Sequence, residues 1–284
     1  ETLPQAIFAG LLIAMSSTAI VLKLLADRSQ SGTQAGRISI SVLLFQDLFV
    51  IIAMLAVPLL AASAGVSAEA NSQASPHPSP PLLFENPYIA VLAGFSIVAG
   101  VLLAGRKIIP KVLHEVVRLR NRELFLITLV LICLGTAAIT AAVGLSLAIG
   151  AFIAGLALSE SEYGHQAFAE VLPFRDTLAS LFFVSVGMLL DISFVFSHLG
   201  LVGLVVLVIV LLKIFATAIP AILSGFPVRT SLIAGSFIAQ AGEFSFVLGS
   251  RGADVGLLKG EDYQTFLAAA VITMAATPLL TTLM

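Results

Sequence analysis

Apolar runs of nearly twenty residues or more recur from one end of this chain to the other, and that recurrence limits the fold more than any other feature. Of its 284 residues 59% are hydrophobic and only 11% charged, and the mean hydropathy is +1.09. A soluble core of this size cannot hide that much apolar surface, whereas about twenty apolar residues cross a bilayer as one helix. The chain therefore reads as an all-α polytopic membrane protein. We place about nine spans, at 5–26, 38–63, 87–109, 123–142, 146–159, 174–190, 199–223, 228–249 and 263–283. Residues 64–86 are rich in Ser, Pro and Ala and hold no Lys or Arg, so they read as an extramembrane loop without a packed core.

Basic residues orient the spans. With nine crossings, loops 27–37, 106–122, 160–176 and 225–229 share one side. They carry Arg28, Arg37, Arg106, Lys107, Lys111, Arg118, Arg120, Arg122, Arg175 and Arg229, against only Arg251 and Lys259 opposite. Positive charge stays inside, so loops 27–37 and 106–122 are expected on the cytoplasmic side. Within 106–122, Ile109, Val112, Leu113, Val116 and Val117 have helical spacing with a basic opposite face. The segment is either a helix lying on the inner leaflet or a charged connector.

Polar residues inside the spans carry the functional signal. Asp47 is the tenth residue of the second span, about 14 Å in at 1.5 Å per residue. A lone charge at that depth is costly, and such residues mark ion pathways. Burial disfavours the ionised form, so one carboxylate can hold a proton or a bare cation in turn. Exchange requires no more than that competition at a site which opens alternately to the two sides. A structural ion pair is the bland alternative. "MSSTAIV" places Ser16, Ser17 and Thr18 at mid-span, where hydroxyls either replace lost ladder bonds at a helix break or pack against a neighbouring helix. "AQAGEFS" sets Gly242 between Gln240 and Glu243 at a similar depth in the eighth span. Lys213 is too deep to snorkel easily. It could pair with Asp47 when no cation is bound, offset helix C-terminal partial charges, or serve as a structural partner of Glu243.

The two interrupted spans are each followed by a loop and a helix that ends in Pro-Leu-Leu, and the two pairs have opposite topology. Inverted pairs of broken helices are a secondary-transporter signature, with the ion site where the breaks meet. Enzyme chemistry has no foothold. His77, His114, His165 and His198 are scattered, Cys133 is alone, and no phosphate loop or nucleophile elbow occurs. Two rival transport classes are a ligand-gated potassium channel, which needs a carbonyl filter, and a sodium-coupled organic solute symporter.

"SSTAIVLKLL", "LLFQDLFVI", "SLAIGAFIAGLALSESEYGHQ", "LFFVSVGMLLD" and "AQAGEFSFVL", in this order, resemble the monovalent cation:proton antiporter-2 family, and within it the Kef-type potassium/proton branch. The resemblance implies a sodium/proton-antiporter-like fold with inverted repeats and two crossed discontinuous helices. It implies cation and proton binding at Asp47, with Gln46, Ser17 and Thr18 beside it, and Gln240, Gly242 and Glu243 on the second broken helix. Lys213 matches a basic residue on the span before that break. Residues 1–63 and 199–284 would form the two halves of a core domain, and 87–198 the linker and dimerisation helices of a homodimer. The exchange implied is electroneutral, of K⁺ ahead of Na⁺ for H⁺, in a bacterial inner or organellar membrane. No cofactor is expected in the chain and no nucleic-acid partner. A nucleotide would enter only through a cytosolic regulatory domain, and both that domain and further leading spans are expected in a longer transporter.

Overall fold

The computed structural model describes residues 2–65, 87–142, 147–258 and 260–283, and among them regular structure is helical throughout. Twelve helices follow in order: α1 (Leu3–Ala14), α2 (Thr18–Asp27), α3 (Gln34–Ser63), α4 (Pro87–Arg118), α5 (Arg122–Ala142), α6 (Leu147–Ser159), α7 (Gly164–Met188), α8 (Ile192–Ser197), α9 (Leu199–Leu223), α10 (Val228–Phe237), α11 (Glu243–Asp254) and α12 (Gly260–Leu283). Among the described residues, five helical segments are long and apolar enough to cross a membrane: Leu3–Asp27, Gln34–Ser63, Arg122–Ala142, Leu199–Leu223 and Gly260–Thr282. A sixth counts if the bent pair Gly164–Arg175 and Thr177–Met188 is one span. Of the Ser/Pro-rich stretch, residues 66–86 lie outside the described set, as does His77.

The chain forms two compact units, Glu1–Ala74 with Gly187–Met284, and Ser75–Val186. In the second, Ile109 and Leu113 of α4 pack with Phe125 and Leu129 of α5, Ala157 and Leu158 of α6, and Ala167 of α7. Segment 106–118 is thus the end of one continuous helix, and its inner apolar residues are buried against protein. Val112, on another face, is 39% exposed. The reason is geometric: the 3.6-residue period of α4 runs unbroken through the charged stretch, so Ile109 and Leu113, four apart, meet the same neighbours. Helix α7 likewise begins ten residues before the expected span at 174, and takes up most of the expected loop 160–176. At the surface, Arg106 pairs with Glu160 and holds its carboxyl below the usual range by hydrogen bonding and charge.

In the first unit two helices are interrupted. Residues 15–17 separate α1 from α2, and residues 238–242 separate α10 from α11. Met15 (ψ 138°) and Ser17 (ψ 107°) are extended, and so is Gly242 (φ −107°, ψ 174°). Helix α1 packs on α3 and α11, α10 on α3 and α9, and α9 on α12. Val21, Leu25, Leu43, Phe237 and Ile238 make one core cluster around the breaks. Val210, Ile214 and Ala239 make another. Far from the breaks, the Arg28 guanidinium donates to the carbonyls of Thr281 at 2.7 Å and Pro278 at 3.0 Å, which satisfies the C-terminal turn of α12.

The breaks touch at Gly242. A Cβ there would collide with the carbonyl group of Ser16, which is backbone and cannot swing aside. Gly10, in α1, has open space around its Cα. We therefore expect Gly242→Ala to lower the thermal midpoint in detergent, at a cost of about 1–3 kcal/mol or more. Gly10→Ala should hold or raise the midpoint, because alanine favours the helix by about 1 kcal/mol. Equal behaviour of the two variants would contradict the contact.

Candidate functional site: a carboxylate at two joined helix breaks

A helix break exposes backbone groups that need partners, because lipid offers none. Here each break supplies hydroxyls to the other. Ser16 Oγ, on the first, donates to the Ile238 carbonyl of the second at 3.0 Å. Ser245 Oγ, on α11, donates to the Leu12 carbonyl of α1 at 2.7 Å and accepts from the Gly242 N–H at 3.2 Å. Ser17 Oγ caps α2 by accepting from Ile20 N–H at 3.3 Å. Continuous helices contribute as well. Thr273 Oγ1 of α12 accepts from Ala241 N–H at 3.3 Å, and Ser39 Oγ of α3 donates to the Ala234 carbonyl at 3.3 Å.

Lys213, on α9, joins the two. Lys213 is 4% exposed, and its ammonium donates to the carbonyls of Met15 at 2.7 Å, Gln240 at 2.7 Å and Ala14 at 3.3 Å. Ala14 and Met15 end α1, where the helix dipole leaves partial negative charge, and Gln240 lies in the second break, three residues beyond Phe237 of α10. Three donors meet three acceptors, so the ammonium is satisfied by backbone alone. Among the described residues no ion pair links Lys213 to Asp47 or to Glu243.

The acidic side chains lie beside helix N-termini. Thr18 is the first residue of α2, and its hydroxyl lies 3.1 and 3.0 Å from the two oxygens of Asp47. Asp47 belongs to the uninterrupted helix α3 and is half-buried. Gln46, its neighbour, accepts the Ser16 N–H on Oε1 at 2.9 Å, so α3 grips the break on both sides of Ser17. Glu243 is the first residue of α11, where a carboxylate suits the positive helix end. Its Oε2 is buried and has no hydrogen-bond partner among the described residues. The Gln240 residue is fully buried, and neither its side-chain nitrogen nor its oxygen has a partner among the described residues.

The structure thus gathers Ser17, Thr18, Gln46 and Asp47 at the first break, Gln240, Gly242 and Glu243 at the second, and Lys213 beneath both. Sequence reasoning had no place for Ser245, Thr273 or Ser39. Ser245 carried a readable signal, since it stands three residues after Gly242, the spacing of an N-terminal cap. Thr273 and Ser39 are ordinary hydroxyls on apolar helices and carried none. Among the described residues no group of three His, Cys, Asp or Glu side chains could hold a metal. The Asp47 carboxylate, hydrogen-bonded to Thr18 alone among the described residues, keeps spare lone pairs, and Glu243 is a second carboxylate at the breaks.

Residues 2–284 match the family model described as sodium/hydrogen exchanger, transmembrane. That match runs through the apolar helices, both breaks and the helix that bears Asp47. The chain therefore belongs to the sodium/hydrogen exchanger family, and it is an integral membrane antiporter that trades a cation for a proton.

Proposed function

We propose that this antiporter carries a monovalent cation, K⁺ ahead of Na⁺, against H⁺ at Asp47, one for one, as a member of the Kef-type branch. One observation carries the reading. Among the described residues no ion pair reaches the Asp47 carboxylate, and the buried ammonium of Lys213 is occupied by three carbonyls. A carboxylate held at a helix N-terminus by Thr18 alone among the described residues keeps lone pairs for cargo. A proton and an alkali ion each neutralise it once, so the two loaded forms carry equal charge and the cycle moves none across the membrane.

In this reading Thr18 and Ser17 line the site, Gln46 fixes the broken backbone beside it, and Lys213 and Glu243 offset the helix-end charges. Gln240 and Gly242 shape the second break. The reciprocal bonds of Ser16 and Ser245 support crossed broken helices from an inverted repeat, as does the placement of one break before α3 and the other before α12. Nine spans, a cytoplasmic side for 27–37 and 106–122, a homodimer formed through helices in 87–198, and a separate cytosolic regulatory domain complete the proposal. Gln46 in place of the Asn or Asp of sodium-specific relatives supports K⁺ as the cargo.

Reconstituted vesicles holding a pH-sensitive dye test this directly. Added K⁺, and more weakly Na⁺, should drive protons out, and the flux should persist with the membrane potential clamped. In Asp47→Asn it should fall to the leak of empty vesicles, and flux at the wild-type rate in that variant would remove Asp47 from the mechanism.

Lys213→Met leaves three interior carbonyls without their donor, which should cost about 3 kcal/mol or more. Because Lys213 is tied to backbone, adding Asp47→Asn should not restore the lost thermal midpoint. Recovery in the double variant would instead reveal a direct Lys213–Asp47 pair.

A further inference from the structure

A second polar feature lies in the unit Ser75–Val186. The turn between α4 and α5 opens a cavity of about 370 Å³ between Arg120, Asn121 and Arg122 on the turn and Gln166 and Glu170 on α7. Its apolar wall is Val117 and the buried ring of Phe125. Arg120 has φ 50°, a left-handed conformation that glycine or asparagine adopts at less cost. The chain accepts that strain at a basic residue that lines the cavity.

The second arginine is held in place. Arg122 Nε lies 2.8 Å from both oxygens of Glu170, whose side chain is only 16% exposed. That pairing neutralises the one acid in the lining and leaves the terminal nitrogens of Arg122 with donors to offer. With Arg120 the lining retains a net positive charge. Asn121 caps α5 through Leu124 N–H at 3.1 Å, so the positive end of a long helix faces the same place.

Location selects the kind of anion. Helix α5 is an apolar span that starts at this turn, which puts the cavity at the membrane surface. Directly along α5 from it, Ile127 (61%), Leu131 (69%) and Leu134 (65%) are exposed at helical spacing. A charged head at the turn and an apolar stripe running on from it match a phospholipid, with phosphate at one end and acyl chain at the other.

We propose that this cavity binds a phosphate-bearing anion, supplied by an anionic phospholipid whose acyl chain lies along the exposed face of α5. Titration of the purified protein in phosphatidylcholine micelles with phosphatidylglycerol, read as the rise in thermal midpoint, tests it. Wild type should respond to phosphatidylglycerol and not to added phosphatidylcholine. Arg120→Gly should weaken the apparent affinity about fivefold, the effect of one basic side chain at a lipid surface. Its midpoint without the anionic lipid should be unchanged or higher, because glycine takes the left-handed conformation freely. Lys111→Ala, an exposed basic residue outside the cavity, should leave the affinity unchanged. An equal response to both lipids, a wild-type affinity in Arg120→Gly, or an equal loss in Lys111→Ala would overturn the site. Glycerol phosphate in solution should give little shift. If it reproduces the full shift in phosphatidylcholine and Arg120→Gly abolishes that shift, the anion site stands and its lipid source is overturned.

Discussion

A single ammonium group makes two broken helices compatible with a membrane interior. Lys213 gathers the carbonyls of Ala14, Met15 and Gln240, which would otherwise face one another without donors. Carbonyl oxygens gathered from the end of α1 and from the second break repel, and in lipid they cannot turn to water. One cation between them removes the repulsion and satisfies the oxygens at once. The hydroxyls of Ser16 and Ser245 then fasten each break to the helix on the other side, and Gly242 lets the backbones approach closely enough for these bonds to form.

That arrangement separates charges by role. The positive side chain serves the end of α1 and the second break, and the negative ones lie beside helix N-termini, so the fold does not need Asp47 and Lys213 to neutralise each other. Asp47 is left on a straight helix, at the edge of a break, with a hydroxyl for a neighbour. A carboxylate in an ion pair has to lose its partner before it takes up cargo. One that is merely hydrogen-bonded does not.

Much of this was legible in the residues, and the reasons differ by case. Asp47 stood out because a carboxylate among Leu, Phe and Ile needs an explanation. The interruptions at "MSSTAIV" and "AQAGEFS" stood out because hydroxyl runs and glycine weaken a helix at depth. The partners of Lys213 were not legible, since charge logic points a buried lysine at a carboxylate and cannot foresee backbone carbonyls, two of them 198 and 199 positions away. The course of α4 was hidden for another reason. The charges on 106–118 suggested a segment apart from the membrane helix, although the apolar period never broke. Helix α7 starts at Gly164 and runs on through Pro173, a course that composition alone does not disclose.

The grip of Arg28 on the last turn of α12 has a mechanical meaning. Arg28 closes α2, the half-helix whose first residue touches Asp47, and its guanidinium is anchored 250 or more positions away on Pro278 and Thr281. A tilt of α2 that leaves these two bonds intact must drag the end of α12 with it. The helix that meets Asp47 and the helix that ends this segment are thus yoked like two levers on a common pin.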